Sequence, residues 1–275
     1  MKRIESRDNP FFKRLKRLAE SGRERKESGQ TLLDGLHLVS AYEAVHGPVE
    51  TLVVAESALT KSEIAQFITQ RQTVTLADRL MRDLGLVDTP SGLLAVAPWR
   101  PATGEAKTHI DSVLLDGIQD PGNVGALLRT AAAAGVRQIL LAPGSASAWS
   151  PKVLRAGQGA HFVLDIHEEA DLTAFLARYR GAAAVTCPDG DISLYEADWH
   201  GPLAWIFGAE GQGVRQALID QADLRLRIPM PGAVESLNVA AAAAICLFEA
   251  VRRNLANTES LNGKLQISAK TTRSL

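Results

Sequence analysis

Five apolar runs in the second half of the chain, each broken off by a polar or glycine-bearing turn, constrain the fold more than any other feature. They are DSVLLDGI, RQILLAPG, AAAVTCPDG, LAWIFGAE and LRLRIPM. Runs this continuous belong to strands covered on both faces, the habit of a parallel sheet flanked by helices. The stretches NVGALLRTAAAAGV and PKVLRAGQGAHF carry helical apolar spacing and supply flanking helices. In such a sheet, ligands sit beyond the carboxyl ends of the strands. Those loops are where the polar and Gly-rich residues of this half concentrate.

The first half repeats the alternation more weakly. GQTLLDGLHLVSAYEAV, ETLVVAES, KSEIAQFITQRQ, TVTLAD and SGLLAVAPW read as short strands mixed with helical stretches, a smaller α/β domain over residues 1–98. RPATGEAKT is polar and contains Pro and Gly, which fits a linker over residues 99–109. The second domain is then expected over residues 110–256, and a flexible tail over residues 257–275. Asn9-Pro10 reads as the start of a helix continuing through the amphipathic FFKRLKRLAES.

The formal net charge of −1 hides an asymmetry. Residues 1–26 hold ten Lys and Arg against four acids, or +6, so the remainder carries −7. A basic arm on an acidic body suits an anionic partner such as nucleic acid, or serves as a solvated helix face. Lys13, Arg14, Lys16 and Arg17 are the candidate RNA-binding residues, since they lie on the amphipathic helix. No apolar run has the length of a membrane span, and the opening MKRIESRDNP lacks the apolar stretch of a signal peptide. A cytoplasmic protein is expected. Cys187 and Cys246 are too few for a disulfide framework, and six scattered histidines give no ligand spacing, so no metal is expected.

Three loops carry the chemistry. The first, DGIQDPGNVGALLRTAAAAG, leads through Asn123 and Gly125 into a helix that bears Arg129 one turn further on. A guanidinium near a helix start can hold a phosphate in bidentate fashion, and its apolar neighbours suggest that this charge needs a partner. The second, WIFGAEGQGV, puts three glycines in six residues after a strand, so that a ligand can touch backbone. It has neither the order of a dinucleotide fingerprint nor the Gly-Lys-Ser/Thr of a phosphate loop, and Glu210 within it would repel phosphate. The third, RIPMPGAVESLNVAAAAAICLFEAV, sets Ser236, Leu237 and Asn238 before five alanines. Taken alone, Ser236 or Asn238 could simply cap the helix that follows.

In this order, the three loops resemble the motifs of the SpoU (TrmH-like) family of RNA ribose 2'-O-methyltransferases, in the SPOUT superfamily. The resemblance spans roughly residues 110–254 and rests on Asn123, Gly125, Arg129 and Ala131, on Gly208, Glu210, Gly211 and Gly213, and on Pro229, Met230, Gly232, Ser236, Leu237, Asn238 and Val239. It implies an α/β fold: a parallel-sheet SPOUT domain with a deep trefoil knot, which periodicity would never suggest, plus an N-terminal RNA-binding domain. It implies S-adenosyl-L-methionine as cofactor, held at Gly208, Ile228, Met230, Leu237 and Asn238. It implies catalytic roles for Arg129, Asn123, Glu210, Ser236 and Asn238, and a homodimer built on the last helix. Structured RNA is the implied substrate, ribosomal RNA ahead of tRNA because of the separate N-terminal domain. A non-catalytic RNA binder of the same fold is the other reading, which the intact set of polar residues opposes.

A ribose hydroxyl is almost wholly protonated at neutral pH, so the chemistry needs placement and help in losing that proton. A guanidinium, with a pKa above about 12, is a poor general base. Arg129 is therefore expected to grip an adjacent phosphate and orient the hydroxyl, with Asn123, Glu210, Ser236 and Asn238 fixing its surroundings.

Overall fold

The computed structural model of the chain describes residues 2–86 and 90–271, with side chains as far as residue 256. The tail expected from residue 257 therefore falls on residues whose side chains, and from residue 272 whose backbone, lie outside the description.

The first half runs β1 (Lys2–Ile4), α1 (Pro10–Glu20), α2 (Gly22–Ser28), β2 (Gln30–Asp34), α3 (Leu36–His46), β3 (Thr51–Ala55), α4 (Ser62–Phe67), β4 (Thr73–Leu76), α5 (Asp78–Asp83) and β5 (Leu93–Pro98). Asn9 caps α1 by accepting from the Phe11 amide at 3.0 Å, with Pro10 in the first turn, as the sequence suggests. The five strands form one sheet in the order β1-β4-β3-β5-β2, with β5 antiparallel to both its neighbours. The edge strand β1 lies inside the charged opening segment, where only Ile4 is buried, so its three residues carry no strand signal of their own.

The second half runs β6 (Ser112–Asp116), α6 (Pro121–Ala133), β7 (Gln138–Leu141), α7 (Pro151–Gly157), β8 (Asp165–His167), α8 (Leu172–Leu176), β9 (Ala182–Thr186), β10 (Ile192–Ser193), β11 (Leu203–Gly208), α9 (Gln216–Ile219), β12 (Leu224–Arg227) and α10 (Val239–Thr271). Its seven-stranded sheet has the order β10-β12-β9-β11-β6-β7-β8, and every pairing is parallel. Residues of β11 show why the runs are apolar throughout. Trp205 and Phe207 pack into one buried cluster and Ala204 and Ile206 into another, because successive side chains leave a strand on opposite faces. Full burial of a side chain such as Ile206 or Phe207 contributes about 2 kcal/mol.

The larger of these clusters is continuous with the core of the first half, joining Leu32 and Leu94 to Leu154 and Phe162. Segment 99–109 is fastened on both sides. The Trp99 amide donates to Gly29 at 2.8 Å, and the Lys107 amide donates to Gln138 Oε1 at 2.7 Å. The two halves are thus packed together rather than strung on a free linker. No helix among the described residues is long and apolar enough to cross a membrane.

Candidate active site at the carboxyl ends of the strands

Strand β11 is inserted between β9 and β6, and its last residue, Gly208, pairs with Asp116 at the end of β6. The loops leaving both strands, together with the segment between β12 and α10, therefore open at one end of the sheet. Gly208 is fixed by crowding: a Cβ there would lie 2.2 Å from the carbonyl of Gly213. Gly211 and Gly213 have φ of 81° and 68°, the left-handed region that side chains avoid. Gly125 serves a packing role instead, since a Cβ would lie 2.3 Å from that of Ala156 and stop α6 and α7 from touching.

The three loops meet through side chains. Asn123 Nδ2 donates to Glu210 Oε1 at 2.5 Å, and Asn238 Nδ2 donates to Asn123 Oδ1 and to Glu210 Oε1, both at 3.0 Å. Asn238 Oδ1 in turn accepts from the Ala240 amide at 2.9 Å. One side chain therefore does two jobs that sequence reasoning treats as alternatives, capping α10 with its oxygen and joining the site with its nitrogen.

Two pockets flank this junction. The first, about 580 Å³, lies between the 208–214 loop and the 228–238 segment; Gly208, Ile228, Met230, Ser236, Leu237 and Asn238 all line it. The second, about 530 Å³, lies beyond β6, β7 and β11 and is lined by Asn123, Gln119 and Asp120 among others. Ala209, Glu210 and Gly213 belong to both walls.

Arg129 stands apart from these pockets. It is exposed, with no hydrogen bond or ion pair among the described residues, so the partner expected from its apolar neighbours is not required. The helical period explains the difference: Leu128 and Ala131 turn inward, both 0% exposed, while Arg129 faces out.

Two features were not legible in the loops alone. Asp116, at the end of β6, is buried and accepts from Arg215 twice, from the amide at 2.8 Å and from Nε at 2.7 Å, which holds the 208–214 loop down. Thr186, the last residue of β9, and Cys187 and Pro188 just after it also line the first pocket, and burial pushes the Cys187 thiol pKa up. Their position beyond a strand's carboxyl end was the available signal.

The four basic residues of α1 lie elsewhere, and each has a partner within the chain. Lys13 pairs with Asp8 at 2.8 Å, Lys16 with Glu20 at 2.9 Å and with the Asp83 carbonyl, and Arg17 with Glu24 at 3.4 Å. Arg14 donates to Gln30 Oε1.

Comparison with known proteins gives this geometry its class. Residues 112–248 match the SpoU rRNA Methylase family, and residues 9–95 match the MRM3-like substrate binding domain. The chain belongs to the SpoU methylase family, as the three motifs suggest. Among its relatives, the 23S rRNA (guanosine(2553)-2'-O)-methyltransferase RlmP of Bacillus subtilis is 32% identical over 251 residues, covering 90% of this chain and 98% of the relative. The crystal structure of an RNA 2'-O ribose methyltransferase superposes with a TM-score of 0.80 at 29% identity, over 92% of this chain and 99% of the other. The SpoU methyltransferase AviRb from Streptomyces viridochromogenes, solved with AdoMet, gives a TM-score of 0.77 at 26% identity, over 90% of this chain and 98% of that one.

Proposed function

We propose that this chain methylates a ribose 2'-hydroxyl in ribosomal RNA, with S-adenosyl-L-methionine as methyl donor. One observation carries the reading: Asn123, Glu210 and Asn238, from three distant loops, are hydrogen-bonded to one another beside a wall common to two pockets. A donor in the first pocket and a nucleotide in the second would be neighbours across that wall, as direct transfer requires.

The first pocket suits the cofactor. Its lining includes Glu210 and Glu235 but no Lys, Arg or His, which favours a cation over a phosphate-bearing cofactor. Gly208, Ile228 and Leu237 would hold it by main chain and Met230 by contact, with Asn238 closing the end nearest the junction. When bound, S-adenosyl-L-methionine supplies a methyl group on a sulfonium, which leaves as a neutral thioether. The remaining work is on the hydroxyl. Asn123, Asn238 and Glu210 hold one another still, and Ser236 lines the pocket beside them to fix the ribose. Arg129, exposed one turn beyond Gly125, grips a neighbouring RNA phosphate and so aims the hydroxyl.

Several finer features belong to the same proposal. The knot implied by the resemblance is in keeping with β11 sitting between the earlier strands β6 and β9. A two-fold homodimer through α10 is supported by Phe248 and Leu255, 48% and 62% exposed on that helix. We place the RNA-binding domain at residues 1–98, the enzyme in the cytoplasm, and the RNA contacts of α1 at Lys13, Arg14, Lys16 and Arg17. Mapping 2'-O-methyl sites in RNA from cells with and without the gene tests the activity: a site that disappears with the gene and returns with purified enzyme is expected, and an unchanged map would refute it. Light scattering tests the dimer, for which a mass near the 29.5 kDa of one chain would be the wrong answer.

A further inference from the structure

Strand β12 lies between β9 and β10, so residues 187–191, which join those two strands, must cross it. Leu226 marks the crossing, paired with Thr186 of β9 on one side and with Ile192 of β10 on the other. This strap, CPDGD, has few holds of its own. The Cys187 amide donates to the Leu226 carbonyl at 3.0 Å, and the Gly190 amide turns back to the Cys187 carbonyl at 3.1 Å. Gly190 lies directly on the strand, since a Cβ there would be 2.5 Å from the carbonyl carbon of Leu226. Arg225, the residue before the crossing, reaches both acids of the strap: Nη2 is 3.6 Å from Asp189 Oδ2, and Nε is 3.9 Å from Asp191 Oδ2. Nε is buried without a hydrogen bond, so the nearby carboxylates are what offset its burial. The same guanidinium lies close to the Cys187 thiol.

Past the crossing, β12 runs on into the 228–238 segment. Thr186, Cys187 and Pro188 line the first pocket together with Ile228 and Met230, whereas Arg225 lines neither of the two pockets. The strap and the 228–238 segment are thus two walls of one pocket, and Arg225 joins them from outside it. Building on the methyltransferase reading, we infer that Arg225 is a positioning residue for S-adenosyl-L-methionine: by fastening the strap across β12 it sets the gap between the two walls that close on the cofactor. A cation suits this task because the strap offers two carboxylates and little apolar surface to pack.

The test uses the full-length protein and two readouts. In calorimetry with S-adenosyl-L-methionine, Arg225→Leu, which suits a strand already bearing Leu224 and Leu226, should weaken affinity at least fivefold. Arg225→Lys keeps a cation between the acids and should recover most of the loss. The double variant Asp189→Asn/Asp191→Asn, changed only at exposed positions, should weaken affinity by a similar factor, and adding Arg225→Leu to it should cost less than a further twofold, because the three act as one unit. The second readout is alkylation of Cys187 by iodoacetamide, with the buried Cys246 as internal control. Without cofactor, Cys187 should react at least threefold faster in Arg225→Leu than in wild type. Losing the guanidinium alone would slow the reaction, by removing a cation that favours the thiolate, so a faster rate reports an opened strap. Affinity within twofold of wild type in Arg225→Leu, or an equal loss in Arg225→Lys, would overturn the proposal. A wild-type protein that binds no S-adenosyl-L-methionine would instead sink the methyltransferase reading, and the alkylation rates would still show whether Arg225 fastens the strap.

Discussion

Two polar clusters in this molecule are built to opposite rules. At the junction, Glu210 and Asn238 are exposed and Asn123 half-buried, and the three bond mainly to each other, beside pockets that keep further groups open. At the seam between the halves, the Asp34 side chain is 0% exposed; it accepts from Ser91 Oγ at 2.8 Å and is paired with Arg155 of α7. Nearby, Thr31 donates to the Trp149 carbonyl at 2.9 Å, and His161 Nε2 bonds the Ala148 carbonyl at 2.8 Å. Buried polar groups need partners because leaving one unmet costs about 1–3 kcal/mol. Exposed ones can wait for a ligand, and the difference separates groups that hold the halves together from groups that meet substrate.

The sharpest break should come at Arg129, which has nothing to lose in the folded chain. Arg129→Ala should abolish methyl transfer, leaving melting temperature and S-adenosyl-L-methionine affinity nearly unchanged. A variant keeping a tenth of the turnover would contradict the role, since tenfold is only about 1.4 kcal/mol of transition-state stabilisation.

The seam should respond to acid instead. Burial drives the pKa of His161 down from 6.5 to about 4, so the folded state holds it neutral. The unfolded chain takes up its proton first as pH falls. Stability from this group is complete above about pH 6.5, declines by about 1.4 kcal/mol per unit below it and levels off near pH 4, a total loss of about 3 kcal/mol. Urea unfolding at a series of pH values checks this, and His161→Gln should flatten that part of the profile. Removing the seam's ion pair should have a smaller effect. Asp34→Asn keeps hydrogen-bonding capacity and removes the buried negative charge that faces a guanidinium 37% exposed, so a loss of about 1–2 kcal/mol is expected. Affinity for S-adenosyl-L-methionine should not move in either variant; a tenfold change would mean that seam and site are one unit.

These clusters also differ in how far the sequence announces them. Asn123, Glu210 and Asn238 lie in the segments that follow β6, β11 and β12, in motifs whose order is recognisable, and the apolar runs already require both faces of that sheet to be covered. Asp34 and Arg155 are 121 residues apart, and nothing around either indicates the other. Partner choice at the seam depends on how β2 meets α7, a matter of three-dimensional packing. The same limit applies to β1, whose three residues hold their place by pairing with β4, and to the outward turn of Arg129, which composition disguised.

The smallest expected effect is at α1, and it asks which rule that helix follows. Lys13, Arg14, Lys16 and Arg17 are exposed or half-buried, like the groups of the junction, yet each has an internal partner, like those of the seam. Exposed ion pairs are worth about 0–1 kcal/mol each, so a phosphate can displace the acid with little penalty. Every contact so formed releases condensed counterions, with a salt slope of up to about −0.7 per contact on single strands. Replacing all four with alanine should therefore flatten the slope for substrate RNA by at most about three units and weaken all RNAs alike, since phosphate contacts carry no sequence information. If each residue stayed with its internal partner, binding assays across a salt series would give superimposable lines for mutant and wild type. The +6 of the first 26 residues would then be a solvated surface, and the RNA contacts of the N-terminal half would have to lie on another face.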